Sequence, residues 1–221
     1  MFAISMVAFG FQNIWYKGFV KGLELTPEWA PGHTFWAYLI GAVLIGGGVS
    51  IAVRKKARLG AAALGLLYFA SVVFLRLPRI GLAMHDLSER TVLLEPVAIG
   101  CGAWLLTGMR GPFRVLFGIV MIVFGIDHFE VLPFIAKLIP TWIPGAMFWS
   151  AFTGAALVAA GLSIITRWRM RWGAGLLGLM FFLWVVVLHG PRVIASFQNG
   201  NEWNSLFVAL AMCGASWILV E

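Results

Sequence analysis

Residues 29–53 and 138–166 of this chain contain no Asp, Glu, Lys or Arg. A helix needs about 20 mostly apolar residues to cross the hydrocarbon core of a bilayer, so each stretch is long enough for one crossing. Residues 59–75, 172–191 and 203–220 are three further apolar runs. Residues 2–16, 91–109 and 115–126 are shorter or interrupted, and Glu95 and Pro96 break the second of them. None of the eight has the polar face of an amphipathic surface helix. The chain is 61% hydrophobic and 11% charged over 221 residues, where soluble domains carry about 25% charge. Eight spans with short connections use nearly the whole length. That leaves no room for a soluble catalytic domain, a nucleic-acid reader or a secreted disulfide scaffold.

An offset of 113 residues superimposes the two halves. Pro27, Trp29, Pro31, Gly32, Phe35 and Trp36 fall on Pro140, Trp142, Pro144, Gly145, Phe148 and Trp149. Gly41, Gly48, Ser50, Arg54, Arg58 and Gly60 fall on Gly154, Gly161, Ser163, Arg167, Arg171 and Gly173. Pro78, Arg79, Glu89 and Trp104 fall on Pro191, Arg192, Glu202 and Trp217. Nearer the start the offset becomes 115, matching Met6, Phe9 and Gly10 with Met121, Phe124 and Gly125. Chance apolar likeness would not align Trp, Pro and Arg in order. The expectation is an all-α, polytopic membrane protein of eight transmembrane helices, in two parallel four-helix repeats at residues 1–110 and 111–221. An even number of spans returns the chain to its starting side, so a pseudo-two-fold along the membrane normal should relate the halves. Residues 2–16 lack the basic lead and small-residue cleavage site of a signal peptide. As the counterpart of the fifth span they are expected to be retained.

With parallel halves the loops form two sets. One holds Arg54, Lys55, Lys56, Arg58, Arg110, Arg114, Arg167, Arg169 and Arg171, with Glu221 as its one acid. The other is nearly balanced. The positive-inside rule then predicts cytoplasmic N- and C-termini in a cell (inner) membrane. The net charge of +7 is a signal of orientation and not of nucleic-acid binding. Residues 17–25 and 131–140 are amphipathic outer segments, read as lying in the interface with Trp29 and Trp142 at headgroup depth.

The order of span, outer amphipathic turn, Gly-rich span, basic loop, span and span resembles the DoxX-type four-helix membrane unit. Residues 41–54 and 154–167, each leading into a basic loop, carry most of that likeness. Neither second span has the glutamate often found there. The family takes its name from a subunit associated with thiosulfate:quinone oxidoreductase. The resemblance therefore implies a redox-associated subunit, or a binder of a quinone-like or other lipophilic ligand, with a quinone as the implied cofactor and haem a remote one. The partners expected are the lipid bilayer and either other membrane subunits or a second copy of the chain. A small-solute transporter or channel, or a non-catalytic assembly subunit, are the alternatives.

The candidate ligand-binding residues are Asp127, His128, His189, Glu95, His85 and His33. All four histidines map to the outer side, where imidazole serves as ligand and proton carrier. Asp127 and His128 replace Gln12 and Asn13 of the first half, and His189 replaces Arg76. The alternative is interfacial histidines bonded to loops or water. Their spacing matches no metal motif, so no metal is assigned. Glu95 lies inside a span where Val208 is its counterpart; it is either functional or paired near the interface, with Arg90 one turn away. Arg79 with Glu89 and Arg192 with Glu202 are candidate structural ion pairs, and Pro78 and Pro191 are expected to stop their helices just before each arginine. Cys101 and Cys213 form no Cys-X-X-Cys and read as packing residues.

Overall fold

The computed structural model describes residues 1–17 and 31–221. Trp29 and most of the amphipathic segment 17–25 lie outside the described residues. Among those described there is no strand. The helices are α1 (Phe2–Tyr16), α2 (His33–Ala52), α3 (Ala57–Ala83), α4 (Leu87–Leu106), α5 (Arg110–Glu130), the short α6 (Leu132–Ala136), α7 (Ala146–Thr166), α8 (Met170–Ala195) and α9 (Gly200–Ile218).

Five of these, α2, α3, α5, α7 and α8, are long and apolar enough to cross a membrane. Their outward faces carry bare hydrocarbon: Phe74 is 75% exposed and Ile194 80% exposed. A water-soluble surface would cover such residues, whereas lipid solvates them. The other three long helices fall short for separate reasons. The 15 residues of α1 rise only about 22 Å. Glu89, Arg90 and Glu95 dilute α4, and a polar first turn from Gly200 to Ser205 dilutes α9.

These two diluted helices make the centre of the bundle. Val97 to Ala103 of α4 and Ala211 to Ser216 of α9 are buried without a break. They pack on each other, while α1 lies against α9 and α5 against α4. At their crossing a Cβ added to Gly102 would sit 2.8 Å from that of Ala215. Small residues let backbones approach where lipid offers no hydrophobic drive for helix association. Close backbone approaches also join α1 to α2 and α5 to α7. A Cβ on Gly10 would lie 2.6 Å from the Gly41 carbonyl oxygen, and one on Gly125 2.6 Å from that of Gly154.

Turn geometry also occurs in pairs. Gly32 (φ 74°) opens α2 and Gly145 (φ 76°) opens α7. The basic turns after those helices hold Arg54 and Lys56 at φ 57° and 55°, and Arg167 and Arg169 at φ 63° and 52°. Non-glycine residues rarely adopt this left-handed region. At the same end, Arg114 reaches from α5 to the last turn of α7. Its Nη1 donates to the carbonyls of Ile164 and Ile165, the latter at 2.8 Å, where helix carbonyls have no partner of their own.

Pro78 and Pro191 do not end their helices. Each is preceded by a widened i→i+5 turn, Val72–Arg76 in α3 and Trp184–His189 in α8. The proline then stands in the first turn of a renewed helical segment, Leu77–Arg79 or Gly190–Ala195, where its missing N–H is not required. Pro96 likewise lies within an unbroken α4.

Replacing Gly125 by Val forces α5 and α7 apart and is expected to cost about 1–3 kcal/mol. Gly46→Val, at a position with nothing within 4 Å of the added carbon, should change stability by less than about 0.5 kcal/mol. Thermal unfolding of the two detergent-solubilised variants compares these values.

Candidate ligand cavity

The site is built from the N-terminal turns of α4 and α9 and the C-terminal turns of α5 and α8. Asp86 caps α4 by accepting the Glu89 backbone N–H at 3.0 Å, which fixes the turn bearing Arg90. On α5 the i, i+3 spacing sets Asp127 and Glu130 on one face. Arg90 bridges them: its Nε lies 2.8 Å from Asp127 Oδ1 and its Nη2 bonds Glu130 Oε2. Asp127 is 5% exposed, while the Glu130 side chain is half exposed.

His128, the next residue along, turns to a different side. Its Nδ1 is 2.7 Å from the Phe124 carbonyl oxygen. A carbonyl only accepts, so Nδ1 carries the proton and Nε2 is the acceptor of the neutral ring. The imidazole stacks on Trp184 at 5.8 Å and 19°, and Phe181 meets the same indole edge-on at 5.2 Å. Trp184 begins the widened turn of α8 and His189 ends it, so the irregular turn aims both side chains at the site. Widened turns of this kind often occur at functional sites.

Between these elements lies a cavity of about 410 Å³, within the range of small-molecule sites. Phe124, Phe134, Leu157, Phe181, Trp184 and Met212 supply apolar wall. Glu95, Asp127, His128, His189 and Asn204 supply polar groups. The structure thus brings together four of the six ligand-binding candidates. His33, at the start of α2, and His85, exposed in the turn between α3 and α4, are not among the described lining residues.

Arg90 is engaged with α5, through Asp127 and Glu130, rather than with Glu95. Arg79 Nη2 lies 2.6 Å from Glu89 Oε1 and Arg192 Nη2 2.9 Å from Glu202 Oε1, each pair joining consecutive helices beside the site. Cys101 and Cys213 are buried and do not line the cavity. Among the described residues no three His, Cys, Asp or Glu side chains are grouped so as to hold one metal ion.

Sequence reasoning passed over Asn204, Thr91, Ser205 and Trp184, all of which line the cavity. Asn204 was the most accessible of them: it is an amide opening an otherwise apolar run, at the position that Thr91 occupies in the other half. Trp184 gave no signal, because a tryptophan in an apolar span reads as lipid-facing.

Fold and cavity together define an all-helical protein whose apolar helices suit repeated membrane passage, with a polar-lined cavity at one end of the bundle. Comparisons with family models, with curated proteins and with solved structures return no match.

Arg90→Met leaves the buried Asp127 without its countercharge and is expected to cost about 3–5 kcal/mol. Adding Asp127→Asn should recover much of that loss. A double variant less stable than Arg90→Met alone, by thermal unfolding, would contradict the assigned bridge.

Proposed function

We propose that this protein is a multi-pass membrane protein of DoxX-like type that binds a lipophilic ligand with a polar head, of quinone-like class, as a subunit associated with redox chemistry. The observation that carries the reading is the cavity. It gathers Asp127, His128, His189 and Glu95, and Val208 also lines it. At three of these positions the other half carries a different polar residue, Gln12, Asn13 or Arg76, and at Glu95 it carries Val208. A duplicated scaffold that loses symmetry at its polar positions around one cavity has acquired a task there that its packing does not require.

The same proposal holds that the chain crosses the bilayer eight times, as two parallel four-helix units with the basic turns on the cytoplasmic side. The paired φ values at Gly32 and Gly145, and at Arg54 and Arg167, support the duplication. So do the equal approaches of Gly10 to Gly41 and of Gly125 to Gly154. The contact of Gly102 with Ala215 joins residues that are 113 apart, as expected of positions on a two-fold axis. In this setting α4 and α9 cross as inner helices, and α1 crosses beside them with Phe11 and Trp15 on its exposed face. The cavity then opens toward the outer leaflet, where a ligand's tail extends into lipid. Its head lies among His128, His189 and Asp127, which orient it by hydrogen bonds and exchange protons with it, while the aromatic wall keeps water out.

Two measurements test the proposal. Calorimetry in lipid nanodiscs should give saturable binding of a short-tailed quinone or quinol, lost when Val208→Phe and Ala209→Phe fill the cavity. Binding that is unsaturable, or unchanged in the filled variant, would refute the ligand site. Thiol labelling in intact spheroplasts should reach Lys137→Cys from outside and Lys55→Cys only after permeabilisation; the reverse pattern would overturn the orientation.

A further inference from the structure

The polar atoms facing the cavity are not a balanced set. Thr91 Oγ1 donates to the Leu87 carbonyl at 2.9 Å and Ser205 Oγ to that of Asn201 at 3.0 Å, so both hydroxyls on the wall are engaged by their own helices. His128 Nδ1–H is held by Phe124 and Arg90 Nη2 by Glu130, while Arg90 Nε lies 2.8 Å from Asp127 Oδ1 as an ion pair without hydrogen-bond geometry. Both Asp127 oxygens and Asn204 Oδ1 are buried with no hydrogen-bond partner among the described residues, against one such donor beside them, Arg90 Nε. His189 Nδ1 is buried and unpartnered as well. Asn204 is only 6% exposed and Asp127 5%. A buried acceptor without a donor forfeits the bonds it made in water, and native structures seldom leave such groups unanswered.

We infer that the ligand's head is a neutral hydroxyl donor, an alcohol, phenol or dihydroxy-aromatic, and that the site discriminates against the matching carbonyl or ether. This rests on the reading of the cavity as a lipophilic ligand site and narrows its chemistry. A carbonyl head would set its lone pairs against those of the Asp127 carboxylate and of His128 Nε2. A hydroxyl turns its proton toward them. An ammonium would also donate, but Arg90 already stands 2.8 Å from the Asp127 carboxylate, so a second cation there would meet the guanidinium at close range. For a redox-active ligand the geometry therefore holds the reduced, dihydroxy form more tightly than the oxidised dione. By linkage, binding then favours reduction of the ligand in the site.

Calorimetry on the full chain in nanodiscs, with three probes of common shape, tests the inference: para-hexylphenol, its methyl ether and para-hexylbenzylamine. The phenol should bind about tenfold more tightly than the ether, the value of one hydrogen bond to a buried acceptor. Asn204→Leu should reduce that preference severalfold while leaving ether affinity within about twofold. Asn204→Asp, which keeps an acceptor, should retain the preference. Equal binding of phenol and ether would overturn the inference and leave a lipophilic site standing, as would tightest binding by the amine. Binding of none of the three would remove both the inference and the reading on which it rests.

Discussion

A guanidinium inside an apolar bundle must be answered by acceptors, and at the site end of this protein carboxylates supply them. Arg90, held by Asp127 and Glu130, ties the innermost helix α4 to α5 across 37 and 40 residues of chain. Arg79 with Glu89 and Arg192 with Glu202 join the neighbouring helix ends. Breaking one partner costs more than removing both, because what remains is an unanswered charge in a medium that cannot solvate it. At the opposite end Arg114 plays a comparable part with backbone carbonyls.

The scaffold that carries these charges is packed by close backbone approach. The glycine contacts of α1 with α2, α5 with α7 and α4 with α9 leave little room for adjustment, so the cavity is not a by-product of loose packing. It lies where the bundle is least regular, beside the widened turn of α8 that ends at His189. That turn lets α8 continue past Pro191 and still project Trp184 and His189 inward. The corresponding turn in α3 ends at Arg76 and delivers a cation instead. One backbone device thus places two different chemistries, and the side chain at that position decides which.

Much of the helical layout was legible in the sequence because it follows from hydropathy and glycine spacing, which are local. The apolar runs gave α2, α7 and α9 to within a few residues at most boundaries. Proline misled the reading of α3 and α8, since no local rule tells that a widened turn will absorb it. Of the site, Asp127, His128, His189 and Glu95 were visible as breaks in the offset pattern. Their meeting around one cavity was not, because it depends on how four helix ends converge. Arg90 was read as a neighbour of Glu95 along the helix, yet its charge is drawn across to α5, where two carboxylates stand one turn apart. Asn204 and the two engaged hydroxyls become informative only once their bonding partners are known.

The proposed ligand site rests on buried acceptors of Asp127 and Asn204 that face the cavity without a hydrogen-bond partner among the described residues. A high-resolution density map of the protein gently extracted with its native lipid tests this most directly. Well-ordered density for a hydroxyl-bearing head within hydrogen-bond distance of Asp127 Oδ2 and Asn204 Oδ1, continuing into an apolar tail toward lipid, is the predicted result. A collapsed cavity, in which those two oxygens accept hydrogen bonds from the protein's own side chains, would contradict it.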